Sequence, residues 1–185
     1  MKSSLIILAL ALLPISSSMS APATSGGGVY EIEILVFENR LPNLEGGEIW
    51  TREASGTEVV EVAGAVNPGA TAPQETPFAT MAGVLEKDGN HRVLAHRRWR
   101  LSAAGRAETR PVRIRGGDNT LDGTLKFYLS RFLHVDVNLA LSADGNPSDQ
   151  PYRIVDHRRI KTQEINYFDH PKFGILLKVV QIGKE

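Results

Sequence analysis

Between Gly123 and Ser142 apolar and polar residues alternate with one break, and a period of two marks extended chain with a single buried face. Leu125, Phe127, Leu129, Leu133, Val135, Val137, Leu139 and Leu141 fall on one face. Asp122, Thr124, Lys126, Tyr128, Ser130, His134, Asp136 and Asn138 fall on the other. The break is Arg131-Phe132, where charge and apolar character swap faces. A straight strand of about 20 residues would run beyond ~60 Å, far over the usual strand length. A bulge or sharp bend near Arg131 is therefore expected.

Val29 to Glu38 reads as a strand, with Tyr30, Ile32, Ile34 and Val36 on one face and Glu31 and Glu33 opening the other. Leu35 and Phe37 turn the second half of that other face apolar, the mark of a central strand. Residues 40–76 are loop-rich in Gly and Pro, with Val59 to Val62 as a short candidate strand. A helix is expected from Pro77 to Lys87, capped by Thr76 and stopped by Asp88-Gly89-Asn90, with Phe78, Met81, Val84 and Leu85 on one face. Arg92–Leu101, Pro111–Arg115 and Phe173–Ile182 read as further strands. Tyr152–Ile160 and Glu164–Phe168 read as a hairpin around Lys161-Thr162-Gln163. The expected fold class is α+β: a mainly antiparallel, strongly bent β-sheet with one helix packed on it, formed as a single domain over residues 29–185.

The N-terminus addresses the compartment. Lys2, the apolar run Leu5 to Leu13 and the small residues from Ser16 to Ala23 follow the three-part layout of a secretory signal peptide. We assign residues 1–20 to the signal and 21–28 to a flexible tether, with cleavage before Ala21 or before Thr24. A retained anchor is the competing reading, but a bilayer-spanning helix needs about 20 apolar residues. The chain has no cysteine. An exported protein of this composition is expected to carry neither a lipid anchor nor a disulfide, and so no membrane anchor after cleavage.

Charge is balanced, 21 basic against 21 acidic residues, which gives no footing for bulk nucleic-acid binding. Its distribution is uneven. Glu31 to Glu61 holds eight acidic residues against Arg40 and Arg52, and His91 to Arg115 holds eight arginines against Glu108. Either acidic and basic strands neutralise each other in the fold, or a basic face meets an anionic partner.

Catalytic patterns are missing. None of the five histidines has the spacing of a helical His-Glu-x-x-His pair, and there is no Gly-x-Ser-x-Gly elbow, P-loop or dinucleotide fingerprint. No catalytic residue, metal or cofactor is expected. Asp156-His157 and Asp169-His170 are neighbours in sequence, and neighbours on a strand point to opposite faces. The candidate binding residues lie in two Arg-rich strands. Alternation puts His96, Arg98 and Arg100 on one face and Trp99 on the other, and it sets Arg158 and Arg159 on opposite faces. Guanidinium forks match carboxylates, and an indole stacks on a sugar or on Arg. Peptidoglycan offers both groups. The competing reading pairs these arginines with Glu31 and Glu33 and buries Trp99.

Several segments together resemble the CsiV family, named for cell-shape integrity. They are Tyr30 to Phe37, Gly47-Glu48-Ile49-Trp50, His96-Arg97-Arg98-Trp99-Arg100, Arg131 to Val135, Arg158-Arg159-Ile160 and Glu164 to Gly174. The chain departs from the family pattern in a shorter middle and at Asn166, where a His is expected. The resemblance implies a periplasmic protein of Gram-negative bacteria that binds peptidoglycan and activates a class A penicillin-binding protein, without being an enzyme. Such an activator must bind the active state of its partner more tightly. A structural envelope protein contacting only a protein partner, and a wall-modifying hydrolase, are the alternatives.

Overall fold

The computed structural model describes residues 27–40, 64–66, 75–142 and 151–184. The signal, most of the tether, the Val59–Val62 strand and most of the 40–76 loop lie outside the described residues. The strands are β1 (Val29–Asn39), β2 (His91–Ser102), β3 (Val112–Arg115), β4 (Leu121–Leu129), β5 (Leu133–Leu141), β6 (Tyr152–Ile160), β7 (Ile165–His170) and β8 (Phe173–Gly183). One helix, α1 (Pro77–Asp88), lies between β1 and β2 in sequence.

The mainly antiparallel strands with a single helix are as expected, but they do not form one bent sheet. They divide into sheet I, order β2-β1-β8-β7, and sheet II, order β3-β4-β5-β6. Every pairing between these strands is antiparallel. Alternation fixes which face of each strand is buried, but it does not say which strands share a sheet. The inner faces meet in one core: Ile32, Ile34, Val36 and Ile175 from sheet I pack with Ile114, Leu125, Phe127, Val135, Val137 and Leu139 from sheet II. The Tyr30 and Phe127 rings touch across it with centroids 5.2 Å apart.

Two expected elements take another form. The long alternating run is a tight hairpin, β4-β5, closed through residues 130–132 by the Ser130 N–H donating to the Phe132 carbonyl at 2.9 Å. Its register pairs Leu129 with Leu133 and Phe127 with Val135, odd with odd. Paired residues share a face, so a three-residue turn carries the alternation straight through, and sequence alone cannot tell it from one long strand. The other correction concerns β6 and β7. They are not a hairpin: β6 pairs with β5 in sheet II and β7 with β8 in sheet I, so residues 161–164 carry the chain from one sheet to the other. Gln163, with φ 68°, makes that turn, and its N–H donates to the Val179 carbonyl at 2.7 Å.

α1 forms as its sequence signals require. Thr76 caps it by accepting from the Ala79 N–H at 3.1 Å, Pro77 opens it, and Gly89 closes it in the left-handed conformation at φ 74°. The helix packs on the outer face of sheet I against β1 and β2, burying Phe78 and Ala82 against Leu35, with Leu85, Val93 and Leu176 around them. Met81 and Val84, expected on the buried stripe, stay exposed beside it. Leu35 and Phe37 made the outer face of β1 apolar because a helix sits there, and β1 is central, between β2 and β8.

Candidate functional site

The register between β1 and β2 sets an acidic row against a basic row on the outer face of sheet I: Glu31 opposite Arg100, Glu33 opposite Arg98, Leu35 opposite His96. That row divides into an exposed half and a buried half. Arg100 Nε lies 2.9 Å and Arg98 Nη1 3.5 Å from the Glu31 carboxylate, and Arg100 remains 68% exposed. Two guanidinium groups thus share one acid, with Lys178 of β8 standing opposite Glu33 on the far side. The buried half is a closed network under the start of α1. His96 Nε2 meets Glu33 Oε1 at 2.8 Å, and the Thr76 hydroxyl donates to the same oxygen.

The six sequence candidates therefore separate. His96, Arg98 and Arg100 share a face as alternation predicts, but His96 is consumed by the Glu33 network. Trp99 points into the core at 7% exposure, its indole N–H without a partner among the described residues, so it cannot stack on a ligand. Arg158 turns inward at the edge of the sandwich. Its guanidinium lies 4.0 Å over the Phe168 ring, donates to the Tyr167 carbonyl at 3.0 Å and pairs with Asp156. It ties sheet II to sheet I. Arg159 lies on the outer face of sheet II, 3.4 Å over the Phe132 ring.

That outer face of sheet II holds a second cluster. The rings of Tyr128, His134 and His157 stack, with centroids 5.4 Å apart for each pair that includes His134. Asp136 receives His157 Nδ1 at 2.5 Å and Arg106 at 3.0 Å. Burial alone would raise the Asp136 carboxyl, but the hydrogen bonds from His157 and Arg106 outweigh it and hold it below the ordinary range. Burial, then the Asp136 charge, pushes the Tyr128 hydroxyl up. His157 takes its carboxylate from the neighbouring strand, not from adjacent Asp156. The face could be read from the alternation; the register joining β5 to β6 could not.

A third feature was not foreseen in any part. Between α1 and the β7 edge, the outer face of sheet I opens into a trough. One end is an apolar hollow of about 400 Å3 lined by Met81, Val84, Leu176, Phe37 and Tyr167. It adjoins a polar cleft of about 280 Å3 that shares Phe37 and Tyr167 and adds Asn39, His91, Asp169 and Gly174. Tyr167 donates its hydroxyl to Asp169 Oδ1 at 2.7 Å. Burial first, then that carboxylate, pushes its pKa up to about 12. His91 is held by Nδ1 to Asp88 at 2.7 Å. The signals existed, as Phe37 on the outer side of β1 and the run from Tyr167 to Gly174, but only the β1-β8-β7 register brings them together.

No curated protein and no solved structure matches the chain in the comparisons made. A family profile described as "Peptidoglycan-binding protein, CsiV" matches residues 67–182, more than half of the chain. The match spans α1 and all strands from β2 to β7 and nearly all of β8, leaving β1 outside it. By that extent of agreement the chain belongs to the CsiV family of peptidoglycan-binding proteins.

Proposed function

We propose that this chain is a periplasmic, non-catalytic peptidoglycan-binding protein that supports or activates a class A penicillin-binding protein. The observation that carries the wall-binding part is membership of a peptidoglycan-binding family. The geometry agrees with it at one place. The open half of the outer face of sheet I presents Arg98 and Arg100 around Glu31, two cations to one acid, with Lys178 opposite Glu33. Stem-peptide carboxylates in the wall are the matching anions, and guanidinium forks suit them. The N-terminal leader read from Lys2 to Ser20 supports export to the compartment where that polymer lies.

An activator without chemistry of its own works by differential affinity, holding the synthase in its active conformation. The test has two arms. Sacculi are sedimented with the mature protein at low and high salt, and the binding reading requires co-sedimentation that weakens with salt. A purified class A synthase is then assayed for glycan polymerisation with and without the protein. An unchanged rate removes the activator reading and leaves wall binding standing. Release of soluble muropeptides from sacculi by the protein alone would overturn the non-catalytic reading.

A further inference from the structure

We infer that the polar cleft between Phe37, Tyr167 and Gly174 is a saccharide site that takes an uncharged N-acetylamino sugar of the glycan strand. This rests on the wall-binding reading and assigns the glycan to a different place from the arginines. Phe37 of β1 and Asp169 of β7 flank Gly174 of β8 in one row of the sheet. The Phe37 and Tyr167 rings lean in over that row with their planes parallel to within 1° and centroids 6.5 Å apart. They can do so because residue 174 has no side chain. A Cβ built there would lie 2.7 Å from Phe37 Cζ, 2.9 Å from Tyr167 Cε2 and 3.1 Å from the Tyr167 hydroxyl.

The result is a pair of parallel aromatic rings packed over the buried Gly174 backbone, and Tyr167 keeps 46% of its surface exposed. A pyranose presents a flat face of C–H groups that suits such a wall, and a rim of hydroxyls that needs acceptors and donors. Asp169 and His91, both lining the cleft, carry such groups. Tyr167 fixes Asp169 through Oδ1, which orients the carboxylate before any ligand arrives. Among the residues lining the cleft there is no Arg or Lys, and Asp169 is the one carboxylate. An anionic stem peptide would meet that acid unfavourably; a neutral polyhydroxyl ligand would not. Lys178 stands on the same outer face, four residues or about 13 Å along β8 from Gly174. Sugar and peptide of one polymer thus fall at opposite ends of one face.

The experiment uses the full mature chain and a soluble, uncharged, peptide-free glycan, an oligomer of β-1,4-linked N-acetylglucosamine. Binding is followed by calorimetry, and by the backbone amide of Gly174 and the ring signals of His91 in NMR spectra. The glycan is expected to shift those two signals, and Tyr167→Ala and Asp169→Asn are each expected to weaken its binding at least tenfold. Tyr167 and Asp169 sit at the surface, so unchanged unfolding midpoints should accompany the loss. Gly174→Ala pushes the Phe37 and Tyr167 rings out of place and should weaken glycan binding at least tenfold as well. Wild-type chain that sediments with sacculi yet binds no peptide-free glycan would overturn the saccharide site and leave wall binding intact. Glycan binding that survives both Tyr167→Ala and Asp169→Asn would overturn its location. Failure to bind either sacculi or glycan would remove both readings together.

Discussion

Glu33 and His96 meet at 2.8 Å on the outer face of sheet I, with side-chain exposures of 9% and 11%, directly under the cap of α1. Thr76 belongs to the same network, since its hydroxyl reaches Glu33 while its oxygen caps Ala79. A histidine on an arginine-rich strand is thereby a fastener between helix and sheet. His96→Ala leaves a buried acceptor short of a partner and is expected to cost about 1–3 kcal/mol. Thr76→Ala removes a cap as well and should cost at least about 1 kcal/mol. Urea midpoints measure both. Equal midpoints for His96→Ala and the parent chain would mean the network is dispensable, and sacculus binding should change in neither variant.

The two groups of arginines should respond differently to charge reversal. Arg158→Glu sets a carboxylate beside Asp156 and removes the bond to the Tyr167 carbonyl, so the chain should unfold at lower denaturant. Arg98→Glu with Arg100→Glu removes exposed pairs worth about 0–1 kcal/mol each and sets carboxylates across from Glu31 and Glu33 at the β2 edge, so its midpoint should fall less than that of Arg158→Glu. Only this second variant is expected to lose sacculus binding at low salt. If it binds like the parent, the cationic face is not where the wall docks.

Acid stability should report the Arg113-Asp122 fork. Arg113 reaches the carboxylate through Nε at 2.8 Å and Nη2 at 2.7 Å. Burial would raise the Asp122 carboxyl, yet Arg113, with help from Arg115 and the Gly123 N–H, brings it below its usual value. A depressed folded pKa gives stability that is present above the unfolded value, about 3.9, and lost as pH falls through the folded one. Urea midpoints should therefore drop on the acid side of about pH 4, and the drop should be shallower in Arg113→Met. The same slope in both chains would remove the fork from the account.

Trp99 gives an optical check on the core. A Trp50→Phe variant retains one indole, and that indole is buried at 7% exposure. Its emission should be blue-shifted, resist quenching by acrylamide and stay the same when sacculi are added. A wall-dependent shift would place the ring at a surface.

Much of the fold could be read from spacing because one buried face per strand is a local demand. The Thr76-Pro77 start, the Gly89 stop and the central place of β1 all followed from side chains within a few residues of each other. Partnership between strands is not local. Nothing near Tyr167 tells whether β7 pairs back on β6 or forward on β8, and nothing near Arg131 distinguishes a three-residue turn from a bent strand. The site suffered for the same reason. Arg98 and Arg100 stood out as a run, whereas Phe37 is far in sequence from Asp169 and Gly174 and comes beside them only through register. Trp99 misled because an indole among arginines satisfies a stacking pattern and a core pattern equally well; parity with Ile32, its partner in β1, decides for the core.

β1 lies between β2 and β8, so the first described strand waits for the last. Its hydrogen-bonding edge toward β8 stays open until residues 173–183 have been made, a long-range closure that slows folding and exposes apolar edge meanwhile. A chain built this way has reason to remain unfolded until its whole length is available, and a nonsense codon even a dozen residues early should yield an aggregate rather than a weakened protein.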